Sequence, residues 1–151
     1  MELPTELFAQ LTDPATTDTA FHDLCANAIP NELYSAMRYH PATIEVERIA
    51  STMPEIYPVG GRKPKKDTPW GQKVLIDRHI NLGSGADDIR WAFSDHETIL
   101  GLGLDQVINV PVILGEQVVG TMNYLRPQQP FSLQEQAIAQ LLAACLAARL
   151  A

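Results

Sequence analysis

The stretch "QVINVPVILGEQVVGTMNYL", Gln106 to Leu125, restricts the fold more than any other part of the chain. Two runs rich in β-branched and apolar residues flank the pair Gly115–Glu116. Such residues suit a pleated, half-buried surface, and a glycine opening a two-residue loop can supply the positive φ of a tight hairpin turn. An antiparallel hairpin is therefore predicted, with Leu114 opposite Gln117, Pro111 opposite Gly120 and Asn109 opposite Met122. In that register Ile108, Val110, Val112, Val119, Thr121 and Asn123 share one face.

A hairpin needs cover, and amphipathic helices are predicted at both ends of the chain. Ala20, Phe21, Leu24, Cys25, Ala28 and Ile29 recur at helical spacing after "TDPATTD", and Pro30 and Asn31 end the run. "SLQEQAIAQLLAACLAARLA" opens with a capping box, Ser132 and Glu135, and carries an apolar stripe of Ile138, Leu141, Leu142, Cys145, Leu146 and Leu150. "ELFAQL" reads as a short helix within an N-terminal extension, residues 1–15. Between the terminal helices, "LYSAMRYH" and "TIEVERIAS" alternate as strands joined at His40, Pro41 and Ala42. Ile44, Val46, Arg48 and Ala50 are expected on one face of the second strand, with Glu45 and Glu47 on the other. A long loop, "TMPEIYPVGGRKPKKD", leads to a helix start capped by Thr68 with Pro69 in its first turn. "HINL" reads as a short strand and "DDIRWAF" as a helical turn. Strands in two groups with helices at both ends define an α+β class, one domain over residues 1–151 with a largely antiparallel sheet and a C-terminal helix over 132–150.

The charge balance bears on partners. The formal net charge is -7, which argues against nucleic acid and anionic membrane surfaces, since both select cationic faces. No apolar run approaches the roughly 20 residues of a bilayer span, and "MELPTELF" has no basic cluster before an apolar run, so a complete cytoplasmic protein is expected. Cys25 and Cys145 form no CxxC and are expected to be buried thiols.

Several clusters invite chemistry. Asp95, His96 and Glu97 adjoin one another, but Ser94 and Glu97 stand at capping-box spacing, and the two acids suit a helix start. His96 has no second ligand at i+3 or i+4, where Ile99 and Leu100 stand, so no metal is expected. Gly101 and Gly103 lack the third glycine of a dinucleotide fingerprint, Gln106 standing in its place, and read as a helix end. Arg62, Lys63, Lys65 and Lys66 follow Gly60 and Gly61, which makes either a solvated loop or a mobile lid that attracts an anion. Trp70 and Trp91 are core filling or pocket walls. Asn109 and Asn123, polar inside apolar strands, are solvent-facing or pocket hydrogen-bonders.

From Phe93 to Leu125 the sequence resembles the second half of a GAF domain. Gly103, Gln106, Asn109, Val110, Pro111 and Val112 match a G-x-x-S/Q-x-x-N-V-P-V strand, and Gly120, Thr121 and Asn123 match the following G-T-x-N. Over Phe21 to Leu82 the resemblance rests on element order. It implies a GAF/PAS-like sheet of five to six strands, terminal helices on one face, and a ligand pocket on the other beneath loops and short helices. It also implies a sensory module that often dimerises through its terminal helices, here with Ala143, Ala144 and Ala147 available for close approach. The Asn-Lys motif of cyclic-nucleotide binders is not found, and no cofactor is implied. The family includes free methionine-(R)-sulfoxide reductase, which uses pocket cysteines. No cysteine lies between residues 26 and 144 of this chain, which argues against that enzyme. The expected function is non-catalytic binding of a small anionic or polar molecule, with the disfavoured enzyme and a ligand-free dimerisation module as the two alternatives. The ligand site is expected to include Tyr57, Arg62, Lys63, Trp70, Trp91, Phe93, Asp95, His96 and Asn109.

Overall fold

The predicted hairpin forms, with one change that alters both faces of the sheet. In the computed structural model, which describes residues 4–151, β5 (Gln106–Leu114) and β6 (Gln117–Arg126) join through Gly115, whose φ is 66°. Leu114 pairs with Gln117 and Ile113 with Val118, but Val112 pairs with Gly120, so Val119 is an unpaired bulge residue. Beyond it the register moves by one: Pro111 faces Thr121 and Asn109 faces Asn123, not Gly120 and Met122 as predicted. Because side chains alternate with period two, this single extra residue moves Thr121 and Asn123 onto the face of Asn109. Gly120 is the residue that makes the approach possible, since a Cβ there would collide with the Met37 carbonyl oxygen of the neighbouring strand.

The preceding elements are α1 (Thr5–Thr12), α2 (Asp18–Ala28), β1 (Leu33–His40), β2 (Glu45–Ser51) and β3 (Arg62–Pro64). The next are α3 (Pro69–Gly71), which runs into a π-helical turn over Gln72–Ile76, then β4 (Asn81–Ser84), α4 (Ala86–Ala92) and α5 (His96–Gly101). The last is α6 (Leu133–Leu150). The strands make one antiparallel sheet in the order β3-β2-β1-β6-β5-β4. The short strand predicted over "HINL" begins two residues later, at Asn81. Residues 1–3 of the expected N-terminal extension lie outside the described residues.

β2 also departs from simple alternation. Ile44 adopts φ 52° at the end of the turn, and the strand starts at Glu45. Ala36 pairs with Ala50 and Met37 with Arg48, which leaves Ile49 as a bulge. Ala50 therefore packs with the helix-side core, while Val46 and Arg48 face the other way. The segment Arg62–Pro64, expected within a loop, is an edge strand. Val46 pairs with Lys63, and backbone bonds from Gly60 to Arg48 and from Lys65 to Ile44 fasten both ends.

One sheet face carries Ala36, Ile108, Val110, Val112, Met122 and Tyr124 against Phe21 and Cys25 of α2 and Ile138, Leu142 and Leu146 of α6. The stripe of α6 is rotated from the predicted one. Ala139, Ala143 and Ala147 are buried, while Leu141 is 50% exposed and Cys145 half-buried. Small residues let the helix approach β5 closely, so most of the alanine flank expected at a dimer interface is covered by the protein's own sheet.

The start of α6 is fixed by the predicted capping box, with Ser132 Oγ accepting from the Glu135 N–H and Glu135 accepting from the Ser132 N–H. Glu135 also takes a bidentate pair from Arg126, both contacts at 2.7 Å. The same guanidinium donates to the carbonyls of Pro30, Gln129 and Pro130, so it joins β6, the exit of α2 and the start of α6. Bonds from Arg126 and the helix-start amide hold the Glu135 carboxyl down at about 2. A carboxylate with a depressed native pKa stabilises the fold above its unfolded pKa and loses that contribution as pH falls through the native value. Glu135→Gln is therefore expected to lower unfolding free energy by about 3 kcal/mol at neutral pH. In denaturant titrations from pH 7 downward, the gap to the parent protein should narrow between about 4.5 and 2. A gap independent of pH would contradict the assignment.

Candidate functional site

The second sheet face does not close on a purely apolar layer. Over it lie β3, the α3 turn and the α4–α5 connection, and between floor and roof is a cavity of about 40 Å³. The floor includes Ser35, Met37, Val46, Arg48, Asn109, Thr121 and Asn123, and the roof includes Tyr57, Lys63, Lys65, Trp70, Phe93, Asp95 and Ile99.

Polar residues cross the floor as a directed chain. Lys73 Nζ donates to Asn81 Oδ1 at 3.2 Å, Asn81 Nδ2 to Asn109 Oδ1 at 3.0 Å, and Asn109 Nδ2 to Asn123 Oδ1 at 2.8 Å. Asn123 Nδ2 then reaches the Ser35 carbonyl and hydroxyl. The chain spans four adjacent strands, β4, β5, β6 and β1. Trp70 Nε1 also donates to Asn109 Oδ1, at 3.0 Å, which fixes the indole as a wall. Thr68 caps the α3 turn by accepting from the Gly71 N–H, as predicted, and so sets where Trp70 stands.

The charges are unbalanced. Arg48, Lys63 and Lys65 line the cavity with a single carboxylate, Asp95. Arg48 is 7% exposed, its Nη1 donates to the Pro58 carbonyl at 3.3 Å, and its Nε is buried without a partner. Its guanidinium lies 5.0 Å from the centre of the Tyr57 ring. Lys65 Nζ lies 5.0 Å from the Trp70 ring centre, and burial, with the nearby Lys63 charge, pulls its pKa down to about 8. Asp95 accepts from the Tyr57 hydroxyl at 2.9 Å and stands 3.6 Å from Lys63 Nζ. Burial and the bond to Asp95 push the Tyr57 phenol well up.

A sheet with paired helices on one face and a roofed cavity on the other is the arrangement that the resemblance implied, and the comparisons with known proteins agree. The family model for the GAF domain matches residues 21–150. The chain belongs to the GAF domain family.

Among solved structures, the GAF domain of a phosphoenolpyruvate-protein phosphotransferase from Coxiella burnetii is similar with a TM-score of 0.74 at 16% identity, covering 95% of this chain and 87% of that one. The GAF domain of a two-component sensor histidine kinase from Bacillus halodurans is similar with a TM-score of 0.66 at 16% identity, covering 99% and 95%. The phycocyanobilin-bound GAF domain of a cyanobacterial phytochrome has a TM-score of 0.66 at 16% identity, covering 98% and 96%. At these identities the likeness is one of fold. A comparison with curated proteins finds no match.

Within this GAF domain, six of the residues expected at the ligand site come together at the cavity: Tyr57, Lys63, Trp70, Phe93, Asp95 and Asn109. Arg62, Trp91 and His96 do not line it. Alternation along β3 turns Lys63 inward and Arg62 outward, where it stands 3.8 Å from Glu45 and 3.5 Å from Glu47. Trp91 is 44% exposed on the outer side of α4, beside Lys73, because Ile89 and Ala92 take the inner side. His96 opens α5, and Ile99, one turn on, is the residue that faces the cavity. The capping box expected at Ser94 and Glu97 is not formed. Asp95 occupies the cap position without a side-chain cap bond, its carboxylate being held by Tyr57 and Lys63 instead. Gly103, at φ 81°, ends α5 as expected.

Arg48, Lys65, Ser35, Thr121 and Asn123 are cavity residues that were not assigned to the site from sequence. Arg48 left a trace there, as a charged residue on an otherwise apolar strand face. Cys25 and Cys145 lie on the helix side, and burial pushes the Cys25 thiol up to about 12. Among the described residues no cluster of His, Cys, Asp and Glu could hold a metal ion, and no helix is long and apolar enough to cross a membrane.

Asn109 is the branch point of the floor, and replacing it by Leu leaves Trp70 Nε1 and Asn81 Nδ2 without their acceptor. Asn109→Leu is expected to lower unfolding free energy by about 2–4 kcal/mol. Urea denaturation checks this, and a loss under about 0.5 kcal/mol would show that the chain of amides adds nothing net.

Proposed function

We propose that this GAF domain is a non-catalytic sensor that holds a small anionic metabolite between the sheet and its roof. One observation carries the reading: Arg48 is buried in the cavity with an unpartnered Nε, among cations that outnumber the carboxylates. A buried N–H without an acceptor is unfavourable, and an anion accepting from that nitrogen would relieve it. The protein as a whole repels anions, with a net charge of -7, so attraction must come from a local field such as this one. Trp70 and Phe93 supply apolar walls, in keeping with ligand sites that are mostly apolar with a few placed polar groups. The family is one of sensory and regulatory domains, and a solved relative carries a bound phycocyanobilin. Both cysteines stand away from the cavity, so the thiol chemistry of a sulfoxide reductase has no nucleophile there.

The small volume favours a second reading, a structural module whose pocket is filled by its own side chains. The same experiment separates the two. A thermal-shift panel of acetate, benzoate, succinate, inorganic phosphate and neutral amides is run on the parent protein, Arg48→Gln and Arg62→Ala. An anion at about 100 times its Kd adds roughly 2.7 kcal/mol, a rise of about 5–10 °C for a domain of this size. The rise should persist in Arg62→Ala, whose side chain is outside the cavity, and vanish in Arg48→Gln. No response to any compound would favour the self-filled module, and equal responses to neutral compounds would overturn the assignment to anions. A homodimer through the terminal helices remains part of the proposal. It would use the outer side of α6, where Leu141 and Ala144 are exposed near Phe8 of α1.

A further inference from the structure

The cavity measures about 40 Å³, against roughly 150 Å³ for a cavity that takes up benzene. A ligand as large as benzoate must therefore displace part of the protein. The floor is a continuous ladder, and β3 is bonded to β2 along its length and beyond both ends. The α4–α5 connection is different. Among the described residues, its one side-chain tie to the rest of the roof is the Asp95 carboxylate, which accepts from the Tyr57 hydroxyl and faces Lys63.

Asp95 stands at the cap position of α5, where an aspartate ordinarily accepts from an amide of the first turn. It makes no such bond. Its carboxylate instead lies in a cationic cavity that also holds the unpartnered Arg48 Nε, with Tyr57 in contact with both residues. A carboxylate on a short tether is thus seated on donors that suit a free carboxylate equally well.

Building on the anion-binding reading above, we infer that Asp95 is an internal competitor for the ligand. A small carboxylate takes the Tyr57 hydroxyl and Lys63, its second oxygen reaches toward Arg48, and Asp95 is released with the α4–α5 connection. Release moves the start of α5, because the Asp95 carbonyl accepts from the amides of Thr98 and Ile99, and Ile99 itself lines the cavity. Lys63 keeps a carboxylate partner throughout, so the exchange costs little in charge pairing, and the apolar part of the ligand fills the space that the connection leaves beside Trp70 and Phe93. Ligand affinity is then set by the difference between two carboxylates competing for one seat, and occupancy is reported by the position of α5.

The test is calorimetric titration of benzoate, acetate and inorganic phosphate into the parent protein, Asp95→Asn, Glu97→Gln and the double variant Asp95→Asn with Lys63→Met. Asp95→Asn should bind benzoate about tenfold more tightly than the parent. Glu97→Gln removes a neighbouring exposed charge without touching the seat and should change Kd by less than about twofold. The gain should disappear in the double variant. In the parent protein, the amide resonances of Thr98 and Ile99 should shift and saturate with benzoate, a readout that does not depend on any variant folding. Equal benzoate affinity in the parent and Asp95→Asn would overturn the competition while leaving the anion site intact. Weaker binding by Asp95→Asn would mean that the carboxylate receives the ligand. An equal gain in Glu97→Gln would reduce the effect to net charge. A larger gain for phosphate than for benzoate would overturn the assignment to carboxylates. If no anion binds any of the proteins, the competition and the anion site both fall.

Discussion

A polar side chain inside a sheet must find a partner, and here that requirement ties the cavity to the strand register. Asn81, Asn109, Asn123 and Ser35 lie on four different strands and satisfy one another across them. They do so only because Val119 is left unpaired, which brings Thr121 and Asn123 to the face of Asn109. Without the bulge, Asn123 would point into the layer of Ile108, Val110 and Val112 beneath the helices, where no chain of amides awaits it. Burying an amide without a bond there would cost on the order of 1–3 kcal/mol. The register of β6, the position of Trp70 and the polarity of the cavity floor are thus one constraint seen from three sides.

Two buried arginines show how the same residue type serves different ends. Arg126 is 5% exposed, and each of its nitrogens donates to a carboxylate or a carbonyl, so it joins three parts of the chain and leaves nothing unpaired. Arg48 is 7% exposed, with a single carbonyl contact, a ring beneath it and a free Nε. The first arrangement is what stability alone requires. The second is the arrangement on which the proposed anion site rests. Lys63 and Asp95 lie between these extremes, paired through a contact of 3.6 Å that the proposed exchange would replace.

Much of this was legible in the sequence, and the parts that were not share a cause. The hairpin, the helix over Asp18–Ala28, the cap at Thr68 and the capping box at Ser132 follow from local spacing, and local spacing is what one sequence displays. The two bulges do not. Val119 and Ile49 resemble their neighbours in composition, and what singles them out is distant in sequence, at Gly120 the carbonyl of Met37. Arg62 and Lys63 read as one cationic patch until β3 is known to pair with β2, after which alternation separates them. Ser94 and Glu97 have the spacing of a cap, but Tyr57 and Lys63 hold the Asp95 carboxylate and the helix starts one residue later. Arg48 was visible as a charge on an otherwise apolar strand face.

The account stands or falls on Arg48 as an anion receptor. Arginine Nε–Hε resonances report this directly, since a new acceptor moves the proton signal of the nitrogen that donates to it. During titration with benzoate, the Arg48 signal should move and saturate, while that of Arg126, already bonded to the Gln129 carbonyl at 2.8 Å, stays in place. A saturated protein in which the Arg48 signal is unmoved, or in which only exposed arginines such as Arg62 respond, would contradict the central claim.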